Sequence, residues 1–196
     1  MVELLFKNIL SKGVDLSDAE KKLIGSKVEF KKYKKRQFIL QQGSVASYDV
    51  FIIKGLARTY IFNEKGQENI ISFNPEDWWT GDLYSSHFKL PSAFNIDCLE
   101  DTDVLQIKTV EVESICAAIP KMNQYYRILY RNSLISFYAR VQSAISKTAS
   151  ERYLDFIKRY PNIEQRVSNQ QIAAYLGITP QSLSRIRSNL SKTASL

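Results

Sequence analysis

The chain has 196 residues, enough for one large or two modest domains, and 27 Lys and Arg against 20 Asp and Glu give it a formal net charge of +7. That excess favours an anionic partner without separating nucleic acid from an acidic membrane surface. No apolar run approaches the ~20 residues of a membrane span, and the N-terminus lacks the apolar core and cleavage site of a signal peptide, so a cytoplasmic protein without membrane partners is expected. Two cysteines and one histidine exclude a cysteine-ligated cluster and a multi-histidine metal site. Cys98 and Cys116 are expected as buried free thiols, and His87 has no companion metal ligands.

Residues 1 to about 25 read as helical, with Ser17 and Glu20 in a capping-box pattern ahead of Leu23 and Ile24. From Val28 to Ile107 the segments are short and rich in Phe, Ile, Val and Tyr, as in Phe38 to Leu40, Val50 to Ile53, Thr59 to Phe62 and Asn69 to Phe73. Turn signals at Gly43, Asn63 to Gly66, Asn74 to Asp77 and Gly81 separate them, which suggests a double-sheet roll or barrel. Lys31, Lys32, Lys34, Lys35 and Arg36 read first as a solvated turn and edge strand, because edge lysines discourage sheet-to-sheet association. The alternative is an auxiliary nucleic-acid patch. Trp78, Trp79, Tyr84, Phe88 and Phe94 read first as core. Two sharper alternatives are a pocket lined for an apolar or planar effector, and a collapsed pocket.

After Pro120 the pattern turns helical for roughly thirty residues. Tyr130, Leu134, Phe137, Val141, Ala144 and Thr148 recur at alternating four- and three-residue steps, the spacing of a packed helix pair. The stripe could lie on the roll, but a homodimer is expected, with two copies of this helix setting C-terminal DNA readers about 34 Å apart, one turn of DNA. Thr148 to Glu151 reads as a hinge, with Ser150 capping a helix through Tyr153, Leu154, Phe156 and Ile157 to Pro161.

From Arg166 to Leu196 the chain holds Arg166, Arg185, Arg187 and Lys192 and no carboxylate. Ser168 and Gln171 form a capping box for a helix with Ile172, Ala173 and Leu176 on its inner face. Gly177 ends that helix, since glycine enters the left-handed conformation at little cost. Thr179 and Pro180 then supply an N-cap and a first-turn proline for a second helix, with Leu183, Ile186 and Leu190 facing inward. This is helix–turn–helix spacing. It leaves Gln181, Ser184 and Arg185 outside as base readers, because glutamine pairs bidentately with adenine and arginine with guanine in the major groove. Ser168, Gln170, Thr179, Ser182 and Arg187 are expected on phosphate.

The order of these parts, the glycines at 43, 55, 66 and 81, the Gly81-Asp82-Leu83 turn and the run Ile172 to Arg187 resemble the cyclic-AMP receptor protein (CRP/FNR) family of transcription regulators. The resemblance implies an α+β fold: an N-terminal double-stranded β-roll of the cyclic-nucleotide-binding jelly-roll type, a long dimerisation helix and a C-terminal helix-turn-helix of the winged-helix type. The corresponding domains are 1–120, 121–149 and 150–196. It also implies double-stranded DNA carrying a palindromic site and a second copy of the chain as partners, with RNA polymerase a further partner for an activator. Arg185 matches the family's base-reading arginine. Gln181 stands where a glutamate is common and Pro180 where an arginine can occur, and the chain stops before a wing of ordinary length.

The implied effector pocket comprises Gly81, Asp82, Leu83, Ser92 and Ala93, and it departs from the nucleotide-binding pattern. Asp82 shortens the carboxylate that would hold a ribose hydroxyl, and Ser92-Ala93 replaces the arginine that would fork onto the phosphate. Lys89 nearby offers only a point charge. Cyclic AMP is therefore not the expected effector, no cofactor is implied, and an unknown small molecule stays open. No glycine-rich phosphate loop or nucleophile elbow marks an enzyme. The rivals are a cupin-like metal enzyme, which one histidine cannot build, and a protein-interaction module without DNA function.

Overall fold

The computed structural model describes residues 2–193; Met1 and residues 194–196, the outermost parts of the first and last expected domains, lie outside the described residues. The chain forms two compact units, Met1–Ile61 with Ser72–Asn132, and Phe62–Ile71 with Ser133–Leu196. The α+β architecture expected from the sequence is present, with strands confined to the first 108 residues among those described.

Helices α1 (Glu3–Ser11) and α2 (Asp18–Lys27) open the chain. Ser17 Oγ accepts from the Glu20 N–H while the Glu20 carboxylate accepts from Ser17 N–H, the reciprocal box that starts α2. Eight strands follow: β1 (Val28–Tyr33), β2 (Phe38–Leu40), β3 (Tyr48–Lys54), β4 (Ala57–Phe62), β5 (Glu68–Asn74), β6 (Trp79–Thr80), β7 (Asn95–Cys98) and β8 (Thr102–Lys108). The short helix α3 (Leu83–Phe88) interrupts them, and α4 (Thr109–Ala118) and α5 (Met122–Ser146) follow. One sheet runs β1-β8-β3-β6 and the other β2-β7-β4-β5, with antiparallel pairing throughout the recorded ladders.

Alternation along β3 and β8 divides the core of the first unit. Phe51, Leu105 and Ile107 point to one face, where they pack with Leu5, Ile9, Ile24, Ile115 and Tyr125 of the helices. Val50, Ile52 and Val104 point to the other and meet Ala57, Ile96 and Cys98 of the second sheet. The tight link between β3 and β4 requires Gly55, with φ at 98°, because a Cβ there would lie 2.6 Å from Thr102 Oγ1 and 2.7 Å from the Asp101 carbonyl. Lys31 and Lys32 lie exposed on the edge strand β1, and Lys34, Lys35 and Arg36 in the turn after it, as the solvated-edge reading requires.

Two helix boundaries differ from expectation. The long helix runs 25 residues, and Thr148 does not continue its apolar stripe but forms the N-cap of α6 (Ala149–Arg159). Thr148 Oγ1 accepts from the Glu151 N–H and the Glu151 carboxylate from Thr148 N–H, a second reciprocal box, so Thr148 rather than Ser150 starts this helix. A 3-10 turn (Ile163–Gln165), α7 (Asn169–Leu176) and α8 (Pro180–Thr193) complete the second unit. Phe156, Tyr160 and Tyr175 form an aromatic triangle, with ring centroids 5.2 to 5.7 Å apart, and Ile163, Ile172, Leu176, Leu183 and Ile186 of the same unit are buried too.

Candidate functional site

The α7–α8 pair is built by local rules. Ser168 Oγ accepts from the Gln171 N–H at 3.2 Å and Gln171 Oε1 from the Ser168 N–H at 2.8 Å. Gly177 ends α7 in the left-handed region, φ 67° and ψ 37°, and its N–H returns to the Ala173 carbonyl. Thr179 Oγ1 then accepts from the Ser182 N–H at 3.2 Å and starts α8 at Pro180. Leu183 and Ile186 of α8 are buried, as are Ile172, Ala173 and Leu176 of the α7 helix it packs on, so the opposite side of α8 is left to solvent.

On that outer side Gln181, Ser184, Arg185 and Ser188 are exposed. Ser184 Oγ donates to the Pro180 carbonyl at 3.2 Å, whereas Gln181 and Arg185 have no polar partner among the described residues. Two free side chains, one an amide and one a forked cation, thus stand one helical turn apart. Gln170 is exposed at the start of α7, and Ser168 and Thr179 present capping hydroxyls beside helix N-termini. Ser182 is half-buried, its hydroxyl 3.0 Å from Thr179 Oγ1.

Arg187, expected on phosphate, is engaged by side chains of its own unit. Its guanidinium donates to Tyr153 Oη at 2.9 Å, Glu164 Oε1 at 2.5 Å and Asn169 Oδ1 at 2.5 Å. A cation neutralised by a carboxylate and shared among three acceptors braces the fold. Its position four residues after the buried Leu183 turns it toward the unit's interior.

On α5, Tyr130, Leu134, Phe137, Val141 and Ala144 lie exposed along one stripe. A second stripe, which the heptad reading missed, contains Ile135, Tyr138 and Ile145, the last 82 % exposed. Its signal was present: these residues repeat the first stripe at an offset of one position, so the apolar face is broader than a single seam.

The turn at 81–83 is occupied by its own side chains. Asp82 Oδ1 accepts from the N–H groups of Tyr84 and Ser85 at 3.0 and 3.1 Å, capping α3, and Oδ2 accepts from Ser92 Oγ at 2.7 Å. Loop backbone is tied into the same cluster: Gly43 N–H to the Ser92 carbonyl at 2.9 Å, Ser92 N–H to the Ser44 carbonyl at 2.8 Å, and Ala46 N–H to Ser85 Oγ at 2.9 Å. Asp82, Ser85 and Ser92 are buried, while Gly81, Leu83 and Ala93 are exposed. The pair expected to face a ligand therefore bonds internally.

The aromatic residues separate. Trp79 packs on Phe51 at 5.2 Å, and its Nε1–H donates to Tyr125 Oη at 2.8 Å, which in turn donates to Asn8 Oδ1 at 2.7 Å. Trp78 and Phe94 are half-buried, whereas Tyr84 and Phe88 are exposed and pack on each other at 4.8 Å, with His87 edge-on to Phe88. An open groove of about 460 Å³ lies elsewhere, lined by Val112, Glu113, Cys116, Asn123, Tyr126, Arg127 and Tyr130. Both thiols are raised above the ordinary cysteine range, first by burial. Among the described residues no group of three or more His, Cys, Asp or Glu side chains is placed to hold a metal, and no helix is long and apolar enough to cross a membrane.

A β-roll followed by a long helix and a helix–turn–helix defines a class of architecture, and comparison with known proteins identifies it. Residues 30–118 match the family model of the cyclic nucleotide-binding domain. FixK2 from Bradyrhizobium japonicum is similar in structure, with a TM-score of 0.73 at 20% identity, over 85% of this chain and 86% of that one. A CooA mutant from Carboxydothermus hydrogenoformans superposes with a TM-score of 0.72 at 15% identity, over 94% and 84% of the two chains. A putative CRP/FNR-family transcriptional regulator from Eubacterium rectale gives a TM-score of 0.67 at 20% identity, over 91% and 85%. No curated protein matches the chain significantly in sequence. The chain has the fold of the CRP/FNR regulators, with a cyclic nucleotide-binding-type roll.

Proposed function

We propose that this protein is a sequence-specific, DNA-binding transcription regulator of the CRP/FNR type, acting as a cytoplasmic homodimer on a palindromic site and not as an enzyme. The observation that carries the reading is the outer face of α8. Gln181 and Arg185 stand free and one turn apart in a segment, Arg166 to Leu196, that has no carboxylate to repel a phosphate backbone. Ser184 lies beside them, and Ser168, Gln170, Thr179 and Ser182 supply hydroxyl, amide and helix-start contacts to phosphate. Arg187 acts indirectly by bracing α8 against Glu164 and Tyr153.

The broad apolar face of α5 favours a second copy as its partner. Exposed contiguous apolar surface on this scale marks an interaction site, and two α5 helices in register would place two readers about one DNA turn apart. The internal bond between Asp82 and Ser92 favours a roll that does not take cyclic AMP, because the carboxylate is already satisfied and no arginine forks into the site. Selection of bound duplexes from a random pool tests the reading: a palindromic motif is expected from the native protein, relaxed in Arg185→Ala.

A further inference from the structure

Arg140 lies half-buried on α5, outside the reader and outside the apolar stripes. Its Nη2 donates to the Ile70 carbonyl at 2.8 Å and to the Tyr175 carbonyl at 3.1 Å, and its guanidinium stacks on the Tyr175 ring at 4.0 Å. Both acceptors are groups that regular structure leaves unpaired. Ile70 belongs to β5, the edge strand of its sheet, where outward carbonyls lack a neighbouring strand. Tyr175 lies in the last turn of α7, where carbonyls have no partner within the helix and the helix dipole presents its negative end.

One cation therefore joins three segments of the second unit: residues 62–71, the long helix and the first helix of the reader. We infer that Arg140 is a positioning residue for DNA reading, a joint that makes α7 and the β4–β5 connection move with α5 as one body. The inference rests on the DNA-binding reading proposed above. Arginine suits the position for two physical reasons. Its Nη2 alone supplies the two N–H groups that meet both carbonyls, and its flat face stacks on an aromatic ring, which an ammonium cannot do in the same way. DNA that orders the reader thereby restrains residues 62–71 as well.

Hydrogen exchange by mass spectrometry on the full chain without DNA tests the joint, with Arg140→Met and Arg140→Lys beside the native protein. In Arg140→Met, exchange should rise together in segments 62–72 and 169–177 while 95–108 stays protected, and Arg140→Lys should fall between. Operator affinity should drop in Arg140→Met by about 5- to 150-fold, the usual range of coupling between sites. Unchanged exchange in either segment overturns the joint whatever DNA binding does. Raised exchange with unaltered or improved operator affinity overturns the positioning role. Should the exchange pattern appear while even the native protein selects no DNA motif, the DNA reading fails and the joint stands.

Discussion

Replacing Asp49 by asparagine should stabilise the protein near neutral pH and have little effect near pH 4. Asp49 sits on β3, its Oδ1 3.5 Å from where a Cβ at Gly81 would stand, and burial pushes its carboxyl from 3.8 up to about 6. No hydrogen-bond partner satisfies it among the described residues. The phenols of Tyr126 and Tyr130 are raised as well, by burial first and by the Asp49 charge second. Because the folded state holds this proton more tightly than the unfolded chain, the group's favourable contribution is complete below about pH 4 and is lost as pH rises through about 6. At about 1.36 kcal/mol per pH decade, that difference amounts to roughly 3 kcal/mol by pH 7.5. For a chain of this size it corresponds to a rise in midpoint of about 6 to 12 °C in the variant. Urea unfolding of both proteins from pH 4.5 to 7.5, at one fixed protein concentration, measures the difference, since the stability of the proposed dimer would vary with concentration. Curves that stay parallel across the range would refute the half-buried, unpartnered carboxylate.

Removing one member of the buried Arg58–Asp97 pair, bonded at 2.8 and 3.1 Å across β4 and β7, should cost about 3 to 5 kcal/mol in Asp97→Ala, read by denaturant titration. An exposed pair would give about 0 to 1 kcal/mol instead. Placing charges in the α5 face with Leu134→Asp and Phe137→Asp should convert a dimer to a monomer in sedimentation at micromolar concentration without loss of helix content. A native protein that sediments as a monomer would remove the dimer from the proposal. Cyclic AMP at saturating concentration should leave both the thermal midpoint and operator affinity unchanged, because Asp82 and Ser92 already bond each other; a concentration-dependent upward shift would show that the turn opens to a ligand.

Local chemistry made much of this fold legible. The boxes at Ser17 and Glu20 and at Ser168 and Gln171, the glycine stop at 177 and the Thr179-Pro180 start each need only a few neighbouring residues, and each forms as read. Thr148 shows the limit of periodicity. It fits the stripe of the long helix and also stands three residues before Glu151, and the capping box prevails because a reciprocal pair satisfies two backbone donors at once. Arg187 is partly legible, since it follows Leu183 by four residues on the inward side. Its partner Glu164, though, is 23 residues away and carries no local signal. The same holds for Arg140, whose acceptors lie 70 and 35 residues away. The missing arginine at Ser92 could be read by resemblance, but not the bond that Ser92 makes to a residue ten positions earlier. Short-range pattern finds elements and caps, whereas contacts between side chains distant in sequence need the fold.

Selection of bound sites from a random duplex pool at one fixed salt concentration, with native protein and Arg185→Ala in parallel, tests the central claim most directly, since phosphate contacts make affinity strongly salt-dependent. The account expects a palindromic motif from the native protein and its relaxation at one base pair per half-site in the variant, with a cost of about 1 to 3 kcal/mol for the lost bidentate contact. Equal, motif-free binding by both proteins would contradict it.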